Sequence, residues 1–166
     1  MRKVLFIFGQ LSDTDVDWLA KTGRRKRLPK ASVLITEGVA VETFYIVIDG
    51  ELVVTQGKPR REIARLGGGE IVGEMSFVDA RPPSATVTAL TDVVVCAIPT
   101  EKLGQALTEN NAFAARFYKA VATFLSDRLR KATDTDYDDE LDDSVLDNVD
   151  RAGARFNALS RSLLDA

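Results

Sequence analysis

Between residues 31 and 98 apolar and polar positions alternate, whereas on either side they recur at helical spacing. Before the alternating region, Ser12 is a helix N-cap followed by Asp13, Asp15 and Asp17, with Val16, Leu19 and Ala20 on one face and Gly23 as a stop. Pro29 marks the change of period. Residues 31–36 form a short β-rich run ended by Gly38. Residues 44–48 and 51–55 flank Asp49-Gly50, a two-residue turn suited to positive φ and to a hairpin. Residues 62–66 follow a turn at Gly57-Lys-Pro59. In residues 84–90, Ala85, Val87 and Ala89 share one face, and Thr86 and Thr88 the other. Residues 93–98 are apolar on both faces, as a strand covered on both sides must be. Short strands punctuated by turns, with no βαβ unit, predict a mainly β sandwich or jelly roll with flanking helices.

Helical spacing returns after Pro99. Thr100, Leu103, Ala106 and Leu107 make a short helix. Asn111 is expected to cap a longer one, whose broad apolar face carries Phe113, Phe117, Ala120, Val121, Phe124, Leu125 and Leu129. Residues 133–143 read as an acidic connector. Ser144 then caps a last helix in which Val145, Val149, Ala152, Phe156, Leu159 and Leu163 step by fours and threes. That seam is too short for a coiled coil, and it predicts docking onto the roll or onto a partner subunit. The expected divisions are a helical lead-in at 1–30, the roll at 31–99, helices at 100–132, the connector at 133–143 and an amphipathic helix at 144–166.

Composition narrows the chemistry. The chain has 166 residues and a net charge of −3, so nothing draws it as a whole toward nucleic acid. The early basic run of Lys21, Arg24, Arg25, Lys26, Arg27 and Lys30 reads as solvated chain before the roll, and the late acidic run as a solvated linker. Histidine is absent, which removes the commonest general base and metal ligand. Cys96 sits in an apolar run and reads as a buried structural thiol in a reducing compartment. Asp134, Asp136 and Asp138 resemble the start of a calcium loop, but Asp139 occupies the place of the required glycine and Val145 that of the glutamate. The apolar stretch near Met1 is too short for a signal peptide, and no segment is long enough to span a bilayer. A cytoplasmic protein with no catalytic constellation and no metal is expected.

The informative stretch is Leu66-Gly-Gly-Gly-Glu-Ile-Val-Gly-Glu-Met75, followed by Pro82-Pro-Ser-Ala-Thr-Val87. A glycine-rich turn lets backbone N–H groups approach a phosphate closely. The glycine spacing is not the dinucleotide fingerprint, and by itself it fits a tight turn equally well. The whole order is more specific: strand, Gly-Gly turn, Gly-Glu opening a short helical turn, Pro-Pro, then a strand. With Val33-Leu-Ile-Thr-Glu-Gly38 and Phe44-Tyr-Ile-Val-Ile-Asp-Gly-Glu51, residues 31–99 resemble the cyclic nucleotide-binding domain family of catabolite activator proteins, kinase regulatory subunits and nucleotide-gated channels. Residues 11–30 and 100–132, including Leu125-Ser-Asp-Arg-Leu129, resemble that family's flanking helices.

The resemblance implies a cyclic nucleotide-binding β-roll with a phosphate-binding cassette at 66–87. It implies a non-catalytic regulatory module taking cAMP or cGMP, with Val72, Gly73, Glu74 and Met75 forming one wall. Glu74 would meet the ribose 2′-hydroxyl, and Ser84, Ala85 and Thr86 the cyclic phosphate. Thr133 would lie near the base. The family's ligand-binding members carry an arginine just before the Ser-Ala-Thr segment, where this chain has Pro83, which offers neither charge nor N–H. A charge-assisted hydrogen bond contributes about 1.5–3 kcal/mol, so its loss weakens binding roughly tenfold to over a hundredfold. Arg81 lies two residues upstream, on backbone restricted by Pro82 and Pro83. Two readings follow: a weak cyclic nucleotide sensor, or a protein-interaction or targeting module with a degenerate pocket. A protein partner or a homodimer would form through the C-terminal helices. A helix-turn-helix is not expected, since the chain after residue 132 is short and acidic.

Overall fold

A computed structural model describes residues 2–134 and 149–165. Its elements run α1 (Arg2–Phe8), α2 (Asp13–Thr22), β1 (Arg24–Leu28), β2 (Val33–Ile35), β3 (Thr43–Asp49), β4 (Leu52–Gln56), β5 (Arg61–Leu66) and β6 (Ile71–Val72). They continue with α3 (Glu74–Asp79), β7 (Thr86–Ala89), β8 (Val93–Pro99), α4 (Thr100–Glu109), α5 (Asn111–Thr133) and α6 (Val149–Leu164). Two antiparallel four-stranded sheets result, ordered β1-β8-β3-β6 and β2-β7-β4-β5. This is the mainly β roll with flanking helices that the alternation predicts.

The first sheet separates two cores, which explains why its inner strands β3 and β8 are largely apolar on both faces. Along β3, Phe44, Ile46 and Ile48 face the helices, while Tyr45 and Val47 face the second sheet. Strand β8 does the same, with Cys96 and Ile98 on the helical side and Val93 and Val95 inside the roll. Each fully buried side chain of this size contributes roughly 1.5–3 kcal/mol. Cys96 is buried, and that burial pushes its thiol up to about 12.

Three local expectations are corrected. Asp49-Gly50 closes no hairpin: β3 and β4 belong to different sheets, and the turn, with Gly50 at φ 88°, hands the chain from one to the other. The basic run forms edge strand β1, paired from Arg24↔Ala97 to Leu28↔Val93, so its backbone is bonded while most of its side chains stay solvated. Ahead of it, the apolar residues near the N-terminus form α1, whose Val4, Ile7 and Phe8 enter the helical core. The cap of α5 is Asn110, whose side chain accepts from the Phe113 N–H at 3.0 Å, one residue before the expected Asn111.

Ser144, Val145 and residues 135–143 of the connector lie outside the described residues. The seam that follows docks within the chain: Ala152, Leu159 and Leu163 are buried, Val149 and Phe156 pack on the same helical core, and α6 lies against α1, α2 and β1. Among the described residues no helix is long and apolar enough to cross a membrane.

Candidate functional site

Strand β6 ends at Val72, and Gly73 turns the chain in the left-handed region at φ 87°, a conformation most side chains avoid. Helix α3 then runs for six residues and is stopped by Ala80, again left-handed at φ 56°. The extended Pro82-Pro83 segment returns the chain to β7. The Pro83 carbonyl accepts from the Gly38 N–H at 2.8 Å, and the Ser84 carbonyl from Gln56 Nε2 at 3.1 Å. The exit of the cassette is thus fixed to the turn at Gly38 and to the end of β4. Phe77 fastens its middle, packing on Phe44 and Phe117 with ring centroids 6.1 and 5.7 Å away.

The cassette encloses a cavity of about 220 Å³. Ile35, Val54, Leu66 and Val87 supply apolar lining, while Gly73, Glu74, Asp79, Ser84 and Arg128 bring polar groups to it. Ligand pockets typically run to roughly 300–1,000 Å³, so this one accepts part of a nucleotide-sized molecule, with the remainder at the mouth. Larger grooves lie behind α3 (about 610 Å³) and between α2 and α6 (about 720 Å³), and neither is lined by Glu74, Ser84 or Arg128.

The structure gathers eight of the ten expected residues around the cavity: Val72, Gly73, Glu74, Met75, Arg81, Pro83, Ser84 and Ala85. Ser84 is exposed, with nothing sealed over it. Thr86 is buried beside the cavity, not on its lining, and its hydroxyl accepts from the Glu37 N–H at 3.1 Å. Thr133 stands apart at the end of α5, its hydroxyl returned to the Leu129 and Arg130 carbonyls. Arg81 stays on the rim, 82% exposed and 3.8 Å from the Asp79 carboxylate.

Arg128 is the residue that the sequence reading missed. Its Nη1 donates to Glu74 Oε1 at 2.7 Å, and its guanidinium lies over the Phe124 ring, 4.2 Å from the centroid. Its Nη2 is buried and has no hydrogen-bond partner among the described residues. Burial pushes the Glu74 carboxyl above its ordinary range, opposed by the charge of Arg128. The only signal for Arg128 was a cation at the margin of the apolar face of residues 111–133. No local spacing joins it to Glu74.

Residues 25–110 match the family described as Cyclic nucleotide-binding domain. The chain is 32% identical over 92 residues to a cAMP-dependent protein kinase regulatory subunit from Yarrowia lipolytica, covering 55% of this chain and 24% of that protein. It is 30% identical over 95 residues to the Cyclic AMP receptor protein of Thermus thermophilus, covering 55% and 44%. It therefore spans less than half of either relative. The fold matches a cyclic nucleotide-binding domain from Methylobacillus flagellatus with a TM-score of 0.73, at 24% identity over 85% of this chain and 84% of that one.

Proposed function

The chain belongs to the cyclic nucleotide-binding domain family, and from that premise we propose that it is a non-catalytic regulatory module taking a cyclic mononucleotide, cAMP or cGMP, weakly. The observation that carries this reading is the open cavity, with exposed Ser84 on one side and the Glu74–Arg128 pair on the other. Ser84 and the N–H groups of Ser84 and Ala85 would receive the phosphate, Glu74 the ribose hydroxyl, and the small cavity would leave the base at the mouth. Pro83 withholds the cation that the phosphate otherwise meets from that strand. Arg128 and, on the rim, Arg81 are the cations of the cavity lining, and Arg128 Nη2 has no hydrogen-bond partner among the described residues. Since Arg128 sits on α5, filling the cavity would alter how the last turns of that helix are held.

Calorimetry with cAMP and with cGMP tests the proposal. Saturable heat with at least one of them is expected, and its loss in Arg128→Met. The absence of both heat and a thermal shift at millimolar nucleotide would sink it.

An interaction module is the second reading, favoured by one observation. Tyr118, Ala122, Leu125 and Leu129 follow one another on α5 at steps of four, three and four. Tyr118 is 47% and Leu129 65% exposed, beside Met75 and Val78 of α3 at 54% each. This stripe suits a second copy of the chain or another protein. Sedimentation of the wild type and Leu129→Asp distinguishes them: a dimer that dissociates in the variant supports pairing of copies.

A further inference from the structure

We propose that α6 regulates the cassette from behind, through Phe156 packed on the glycine loop 67–69, so that docking of α6 and filling of the cavity are coupled. The coupling to ligand rests on the functional reading above, while the mechanical contact stands by itself. Helix α6 lies outside the residues that match the family.

The loop is held on its inner side. A Cβ on Gly68 would stand 3.7 Å from the Phe156 ring and 3.3 Å from the Ile48 carbonyl oxygen. A Cβ on Gly69, at φ 87°, would run into Val4 of α1. The Gly69 N–H donates to the Val47 carbonyl at 2.8 Å, and the Gly67 N–H to Glu70 Oε2 at 2.6 Å. Helices α1 and α6 therefore bear together on Gly68 and Gly69, and their shared contact is the Phe8–Phe156 edge at 5.4 Å.

The other end of the loop is the cassette. Glu70 leads into β6, which is registered on β3 by Tyr45↔Val72 and Ile46↔Ile71, and β6 delivers Gly73 and Glu74. A displacement of the loop is thus passed along a bonded two-residue strand to one wall of the cavity. Among the described residues, helix α6 is held by Arg155 to Asp13 and to the Phe8 carbonyl, by Arg25 to the Leu164 carbonyl, by three buried side chains and by Val149 and Phe156 against the helical core. Linkage makes the effect reciprocal: what α6 does to the cavity, a ligand does to α6.

The test compares Phe156→Ala with Leu163→Ala in the full chain. Both loosen α6, but Leu163 is two turns away from the loop. Without ligand, amide exchange at residues 67–73 is expected to accelerate about tenfold in Phe156→Ala and far less in Leu163→Ala. With cAMP and cGMP as probes, Phe156→Ala shifts the affinity of whichever binds by about fivefold or more. Phe156→Leu, which keeps an apolar contact, guards against a variant that fails to fold and should lie between. Unchanged loop exchange, or equal acceleration by the Phe156 and Leu163 variants, overturns the proposal. If the wild type takes neither nucleotide, the functional reading falls, and the exchange comparison still decides the contact.

Discussion

Two arginine–carboxylate pairs hold α5, one near each end, and they are built differently. Near its start, Arg116 grips Asp15 with two bonds of 2.6 and 2.9 Å, while Asp15 also accepts from the Ser12 N–H at 2.8 Å. Burial works to raise the Asp15 carboxyl, but the bonds from Arg116 and Ser12 outweigh it and hold the group below its ordinary 3.8. Near the far end, Arg128 gives Glu74 a single bond, burial dominates and the carboxyl is raised. The first pair is complete and serves to fasten helices. The second keeps a buried donor unspent at the edge of a cavity. A buried ion pair whose polar atoms are all used has nothing left for a ligand; an incomplete one does.

The contrast is broken most forcefully at Asp15. Asp15→Ala should cost about 2–3 kcal/mol in urea unfolding, because it removes two charge-assisted bonds and leaves Arg116 without a partner. The wild type's advantage is fully present above 3.8, where the unfolded carboxylate is ionised, and shrinks as pH falls through the lower folded value. Unfolding curves of the two proteins should therefore converge in acid.

Next in size is Pro83→Arg, which supplies the cassette with its own cation. Affinity for cAMP or cGMP should rise by about tenfold to over a hundredfold in calorimetry. An unchanged affinity would mean that position 83 does not face the phosphate.

The smallest effect on stability is expected at the second pair. Glu74→Gln with Arg128→Met removes both charges together and should leave unfolding free energy within about 1 kcal/mol of wild type, while nucleotide binding is lost. In Glu74→Gln alone the sign is opposite to that at Asp15. A carboxyl raised by folding binds its proton more tightly in the native state, so the wild type loses ground to the variant as pH rises above 4.5. A loss of several kcal/mol in the double variant would make this pair as structural as the first.

These pairs also show what a sequence discloses. Ser12, Asp13 and Asp15 were legible as a helix start because capping is local, and the capping box is present. The cassette was legible for the same reason: turn, glycine and proline signals lie consecutively between residues 66 and 87. The unbroken apolar run in 93–98 identified β8 as doubly covered. Partners distant in the chain were not legible. Arg116 finds Asp15, and Arg128 finds Glu74, only after the sheets have placed α5. Edge strand β1 was hidden because four consecutive cations suit open solvent and a sheet edge equally. The hairpin expected at Asp49-Gly50 failed because turn chemistry sets the bend and leaves open which strand each arm joins.

That turn has a kinetic consequence. Because β3 and β4 separate at Gly50, neither sheet is assembled by zipping sequence neighbours outward from it. Strand β3 has only the two-residue β6 to pair with until β8 arrives, and β1, which pairs with the other edge of β8, must wait for it. Most native pairings close long loops before any contact offsets the lost entropy, so this domain should condense late and as a unit. On the ribosome, β1 and β3 would remain without their central strand until β8 has emerged.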